Sequence, residues 1–177
     1  KYMKAPTGQL RINAWDLSIN GYPAPQSGLH LETLGSKNCA LPIIMYCYLL
    51  DSSQTVVLQN IPDISDVHCT IEMLKLMGGQ AHYDKKDHTL YITQGITSDH
   101  LPIELMSQVR ISVLLMSIML VRRGRVKFPK QTGGCKLGER PINYHLSAFV
   151  TLGCTVNEDE EGYEIVWKDR DKTNPVI

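Results

Sequence analysis

The sequence has no surplus of charge of either sign. Eighteen Lys and Arg balance eighteen Asp and Glu across 177 residues, so the formal net charge is zero. That excludes a global electrostatic pull toward nucleic acid or an acidic membrane. Long hydrophobic runs are also missing. The longest nearly apolar stretch, ISVLLMSIMLV at 111–121, carries two serines and falls well short of the roughly 20 residues a membrane span needs. It reads as a buried helix. Cysteine pairs with zinc-finger spacing are absent as well. Cys39, Cys47, Cys69, Cys135 and Cys154 make an odd number, which points to free thiols in a reducing compartment, the cytoplasm. Cys39 and Cys47 fall in an apolar helical run, where a free thiol is expected to be a small core residue. No signal peptide is visible.

What is present describes an ordinary globular chain: 43% apolar and 20% charged residues, a length suited to one domain or two tight subdomains. The charges are unevenly placed. Arg122, Arg123, Arg125, Lys127, Lys130, Lys136 and Arg140 face a single acid, Glu139, over 122–140, whereas 158–164 holds acids and no base. The cationic block reads either as a local anion site or as a solvated basic face.

A repeat organises the chain. LKLMGGQAHYDKKDHTLYIT (74–93) and FVTLGCTVNEDEEGYEIVWK (149–168) share a layout, with Gly78 and Gly153 standing 75 positions apart. Val67, Ile71, Leu74 and Met77 recur at helical spacing, as do Ile142, Leu146 and Phe149. Each helix is expected to stop at its glycine. A short strand, a charged turn (84–88 or 157–162) and a returning strand (LYIT, 90–93; YEIVW, 163–167) follow. Upstream of each amphipathic helix lie an apolar helix (40–50 or 110–121) and a strand (TVVL, 55–58; RVKF, 125–128). Pro42 is expected in the first turn of its helix, where it is tolerated. An entering strand, HLETL (30–34), precedes the first unit. The pattern predicts an α/β fold of repeated βαβαββ units with buried helices, two units plus the start of a third. The divisions are 1–18, a weakly patterned extension; 19–95, the first unit; 96–168, the second; and 169–177, the opening of a third.

Four places can carry chemistry. GSKN (35–38) precedes the first apolar helix, whose free N–H groups with Lys37 make a plausible phosphate or carboxylate cradle. Alternatively, Asn38 caps the helix and Lys37 is solvated. Arg110 opens the second apolar helix and either points to solvent or faces an anion. Cys135 sits in TGGCKLGERPINYH (132–145), flanked by glycines with Lys130, Lys136 and Arg140 nearby, charges that favour a thiolate. A small residue packed into a turn is the plainer reading. Arg140 and His145 at the next helix start read as a salt link and a surface histidine, or as parts of the same site.

GSKNCALPI, NIPDISDV, the Arg110 helix and GGCKLGERPINYH occur in one order. That order resembles the UDP-N-acetylglucosamine enolpyruvyl transferases, within the wider enolpyruvyl transferase group that includes the shikimate-pathway enzyme. The Gly-Gly-Cys followed by Gly-x-Arg-Pro points to the UDP-sugar branch. The resemblance covers about residues 18 to 168. It implies one part of an inverse α/β barrel lobe, and an enzyme that moves the enolpyruvyl group of phosphoenolpyruvate to a hydroxyl of UDP-N-acetylglucosamine with release of phosphate. That is the first committed step of peptidoglycan synthesis, by addition and then elimination, with no metal or organic cofactor.

By position, the resemblance assigns Lys37, Arg110 and Arg140 to the phosphoenolpyruvate and diphosphate charges. It places Asn38 by the nucleotide sugar, and Asn143, Tyr144 and His145 along the same pocket. Cys135 becomes the loop cysteine of acid–base chemistry and product release. The partners implied are the two substrates and a second lobe bearing a general base and a closing arginine, with no nucleic acid and no membrane. Asn143 stands where the family usually has an aspartate that reads uracil. Two alternatives follow: a non-catalytic anion- or nucleotide-binding paralogue, and an enolpyruvyl transferase of secondary metabolism acting on another nucleotide or on shikimate phosphate. The 177-residue chain by itself is expected to be inactive.

Overall fold

A computed structural model describes residues 35–50, 55–130 and 142–168 in full, together with the backbone of three strands at 3–4, 9–12 and 29–32. In chain order the elements are β1 (Met3–Lys4), β2 (Gln9–Ile12), β3 (Leu29–Glu32), α1 (Lys37–Tyr46), β4 (Val56–Gln59), α2 (Ser65–Leu76), β5 (Gln80–Asp84), β6 (Thr89–Gln94), α3 (Ile103–Met106), α4 (Leu115–Arg123), β7 (Arg125–Pro129), α5 (Asn143–Thr151), β8 (Thr155–Glu158) and β9 (Gly162–Val166). Short 3-10 segments, Cys47–Leu49 and Arg110–Leu114, follow α1 and precede α4.

The strands form two comparable sheets. The first has the order β1-β4-β6-β5, the second β7-β9-β8, and β2 pairs with β3 separately. All pairings are antiparallel except β1 with β4. In the first sheet β6 lies between β4 and β5, and in the second β9 lies between β7 and β8, so Leu58, Leu90 and Tyr83 align across one sheet and Val126, Ile165 and Val156 across the other. Alternation explains the orientation: along β7, Val126 and Phe128 are buried while Arg125 and Lys127 are exposed.

The two amphipathic helices end alike. Gly78 and Gly153 take left-handed φ values of 82° and 88°. The N–H of Gly79 donates to the Leu74 carbonyl and that of Gly78 to Lys75; Cys154 and Gly153 donate to Phe149 and Val150 in the same way. This double bond pattern satisfies the last carbonyls and reverses the chain into the next strand.

One apolar core runs through both units. Ile44 and Met45 of α1, Val67, Ile71 and Leu74 of α2, Leu115, Met116 and Met119 of α4, and Leu90, Phe128 and Ile165 of the sheets all belong to it. α1 packs on α2 and on the Arg110–Leu114 segment, and α4 packs on β7 and β9.

Several details depart from the sequence reading. The stretch 1–18 contains two short strands, and β1 finds its partner in β4, more than fifty residues away; strands of two and four residues carry too little alternation to be read. Helix α1 begins at Lys37, so Pro42 lies in its interior beyond the first turn and offers no N–H to the carbonyl of Asn38. Cys39 is exposed and not in the core, because it shares an outward helical face with Pro42 and Tyr46. The second apolar helix opens as a 3-10 turn, and the four-residue α3 was not anticipated. The segments 20–28, 131–141 and 169–177 lie outside the described residues.

Candidate functional site

The start of α1 is the best-defined part of the site. Ser36 is the cap residue, with extended backbone and no side-chain capping bond; its carbonyl accepts the N–H groups of Cys39 at 3.2 Å and Ala40 at 2.9 Å. Lys37 and Asn38 are therefore the first two helical residues, where backbone N–H groups have no intrahelical acceptor. Both side chains are exposed. Asn38 does not cap the helix.

A lysine at a helix N-terminus sits at the wrong end of the helix dipole. Its charge is met from another element: Lys37 Nζ lies 3.0 Å from Asp66 Oδ2, and Asp66 occupies the first turn of α2, where a negative charge is favoured. The two carry side-chain exposures of 50% and 34%. An exposed pair of this kind contributes about 0–1 kcal/mol. Lys37 can thus leave Asp66 for an arriving anion at little cost.

The loop between β4 and α2, just before the helix turn that carries Asp66, also holds the backbone before Lys37. The N–H of Gly35 donates to Oδ1 of Asn60 at 3.2 Å. On its other side the loop is tied to the β5–β6 turn. The N–H of Ile61 donates to the His88 carbonyl at 2.8 Å, and the Tyr83 hydroxyl donates to the Ile61 carbonyl at 2.8 Å. Asp63 pairs with His68 and, at 3.6 Å, with Lys85. The His68 hydrogen bond, helped by Lys85, holds the Asp63 carboxyl below the usual carboxylate range. Burial, with Asp63 nearby, pushes the Tyr83 hydroxyl up.

Arg110 is half-buried at the start of the Arg110–Leu114 turn, which packs against α1. The fold thus joins the two helical segments that Lys37 and Arg110 open. Asn143, Tyr144 and His145 form the first turn of α5, with Asn143 and Tyr144 exposed and His145 half-buried; α5 packs on β8. Cys135 and Arg140 lie outside the described residues. Among the other thiols, burial pushes Cys47 up to about 11 and raises Cys69 and Cys154, so none of these three is a ready thiolate near neutrality. A shallow pocket between α3 and the second sheet is lined by Ile103, Lys127, Asp159, Glu161 and Glu164 among others. Its acidic rim disfavours an anionic ligand, and it shares no residue with the candidate set.

Asn60 and Asp66 were missed by sequence reasoning although the stretch NIPDISDV was singled out. They lie 25 and 29 positions from their partners Gly35 and Lys37, and no local periodicity links residues that far apart.

A glycine-led helix start with a lysine, on a helix that packs against a second helical segment opening on an arginine, suits an anionic ligand. Residues 24–171 match the family model EPSP synthase (3-phosphoshikimate 1-carboxyvinyltransferase). The chain belongs to the EPSP synthase family. Within that family it is similar to a UDP-N-acetylglucosamine 1-carboxyvinyltransferase of Hydrogenovibrio crunogenus, 38% identical over 140 residues that make up 79% of this chain and 32% of the relative. The protein of the same name from Buchnera aphidicola is 37% identical over 69% of this chain and 28% of its own length. The crystal structure of the enolpyruvyl transferase NikO from Streptomyces tendae superposes with a TM-score of 0.64 at 20% identity, covering 77% of this chain and 29% of that one. The last comparison speaks to the fold alone, which is that of the EPSP synthase family. The chain spans about a third of the length of the curated relatives it matches. No described helix is long and apolar enough to cross a membrane.

Proposed function

We propose that this chain supplies most of one lobe of a UDP-N-acetylglucosamine 1-carboxyvinyltransferase. The lobe would act in the cytoplasm together with a second lobe. In the reaction, the acceptor hydroxyl of UDP-N-acetylglucosamine adds to C2 of phosphoenolpyruvate while C3 takes up a proton, giving a tetrahedral ketal. Loss of that C3 proton and of phosphate, with cleavage of the C2–O bond to phosphorus, regenerates the double bond on the sugar. Both substrates are strongly anionic, so fixed positive charge is the main physical demand. Lys37, Arg110 and Arg140 meet it, Asn38 contacts the nucleotide sugar, and Asn143, Tyr144 and His145 line the sugar side. Cys135 serves in proton transfer and product release. The units 19–95 and 96–168 each contribute one helix start to this charge.

The observation that carries the reading is Lys37. It is exposed at the α1 N-terminus on an ion pair it can exchange, within a motif set whose relatives at 37–38% identity bear that enzymatic name.

Two experiments test it. Titrating the isotope-labelled chain with phosphoenolpyruvate and UDP-N-acetylglucosamine should shift the amide signals of Ser36–Asn38 in the millimolar range typical of weak sites, without phosphate release. Steady phosphate release by the purified chain would contradict the claim that it is inactive alone. Alkylation by an epoxide should mark Cys135 first, with UDP-sugar altering its rate. Exposed Cys39 is the internal control, and if it outpaces Cys135 with no response to UDP-sugar, the non-catalytic paralogue is the better account.

A further inference from the structure

We propose that Asn60 is a positioning residue for the anion-binding segment Gly35–Asn38, a role that rests on the reading of that segment given above. Asn60 follows β4 in a left-handed conformation, φ 59°, which asparagine tolerates better than most residues. Its side-chain oxygen accepts the Gly35 N–H, two positions before Lys37. The backbones are also in close approach: a Cβ on Gly35 would stand 1.9 Å from the Asn60 carbonyl oxygen, so no larger residue fits there without moving the helix start.

The side-chain oxygen faces Gly35, because the reverse orientation would set two donors against each other. Among the described residues Asn60 Nδ2 is buried without a partner, an unfavourable feature. Asn60 is in turn anchored. The next residue, Ile61, is bonded through its N–H to His88 and through its carbonyl to Tyr83, and the loop leads into the first turn of α2, where Asp66 pairs with the Lys37 ammonium. The β4–α2 loop and the helix turn that follows it therefore meet both the backbone of the cradle, through Asn60, and the side chain of its cation, through Asp66.

The left-handed backbone permits a clean test. Asn60→Gly keeps the conformation and removes the acceptor. Asn60→Asp keeps the acceptor and puts a charged oxygen where Nδ2 is buried, so it loses more thermal stability than Asn60→Gly. Amide hydrogen exchange at Gly35 should speed up about five- to tenfold in Asn60→Gly and stay near wild type in Asn60→Asp. Phosphoenolpyruvate titration of the full chain, at salt high enough to screen the added charge, should show affinity weakened about five- to tenfold in Asn60→Gly and within about twofold of wild type in Asn60→Asp. Affinity would then follow the acceptor and not the stability. Unchanged Gly35 exchange in Asn60→Gly, or affinity that tracks stability across the two variants, overturns the proposal. A wild-type chain whose Ser36–Asn38 amides ignore phosphoenolpyruvate sinks the anion reading and the positioning role with it, while the exchange data still decide whether Asn60 latches Gly35.

Discussion

Gly78 and Gly153 close equivalent helices in the same left-handed conformation but in different surroundings. Among the described residues a Cβ built on Gly153 meets nothing within 4 Å, whereas one on Gly78 would lie 2.1 Å from Thr97 Oγ1 and 3.4 Å from Thr97 Cβ. Alanine at either site incurs the left-handed penalty, about 1–2 kcal/mol. At Gly153 that is the whole cost. At Gly78 the Thr97 hydroxyl must also swing away, giving up its 3.4 Å bond to the Gly78 carbonyl. We expect this to add about 1 kcal/mol. Removing the hydroxyl isolates the difference: in a Thr97→Ala background the clash disappears, and Gly78→Ala should cost no more than Gly153→Ala. Urea unfolding of the four Gly78/Thr97 combinations forms a double-mutant cycle, with Gly153→Ala as the conformational reference. Equal losses for the two alanine variants in the wild-type background would refute the reasoning. So would a surplus at Gly78 that survives Thr97→Ala.

Other expectations concern charge and thiols. Lys37→Met should cost under about 1 kcal/mol in unfolding free energy, because its pair with Asp66 is exposed, yet abolish the phosphoenolpyruvate-induced amide shifts; a large loss of stability would show a structural lysine instead. The Asp63 carboxyl is held below its ordinary value, chiefly by His68. Its contribution to stability is therefore full above the unfolded-state pKa and is lost as pH falls through the lower folded-state value. Asp63→Asn should flatten the acid limb of the stability profile, and an unchanged limb would dismiss the pairing. Near pH 7.5, maleimide followed by mass spectrometry should label Cys39 while Cys47, pushed up to about 11, and Cys154 stay unmodified until urea unfolds the chain. Early labelling of Cys47 would contradict the packing of α1.

The local pattern of the sequence determined the main elements and their repetition. Apolar residues three and four apart defined the inner faces of α2 and α5, alternation defined β7, and Gly78 and Gly153 marked the helix ends, because helix periodicity, strand alternation and left-handed backbone are short-range properties of the chain. The placing of Lys37 at the mouth of an apolar helix was legible for the same reason. Tertiary structure alone decided what those elements meet. It brought Asp66 to Lys37 and Asn60 to Gly35, turned Cys39 and Tyr46 outward, gave β1 its parallel partner in β4, and set the Arg110 turn against α1. Each of these joins residues some tens of positions apart, or depends on which side of a helix its neighbours cover, and such contacts are settled by how a single core closes around all the elements together.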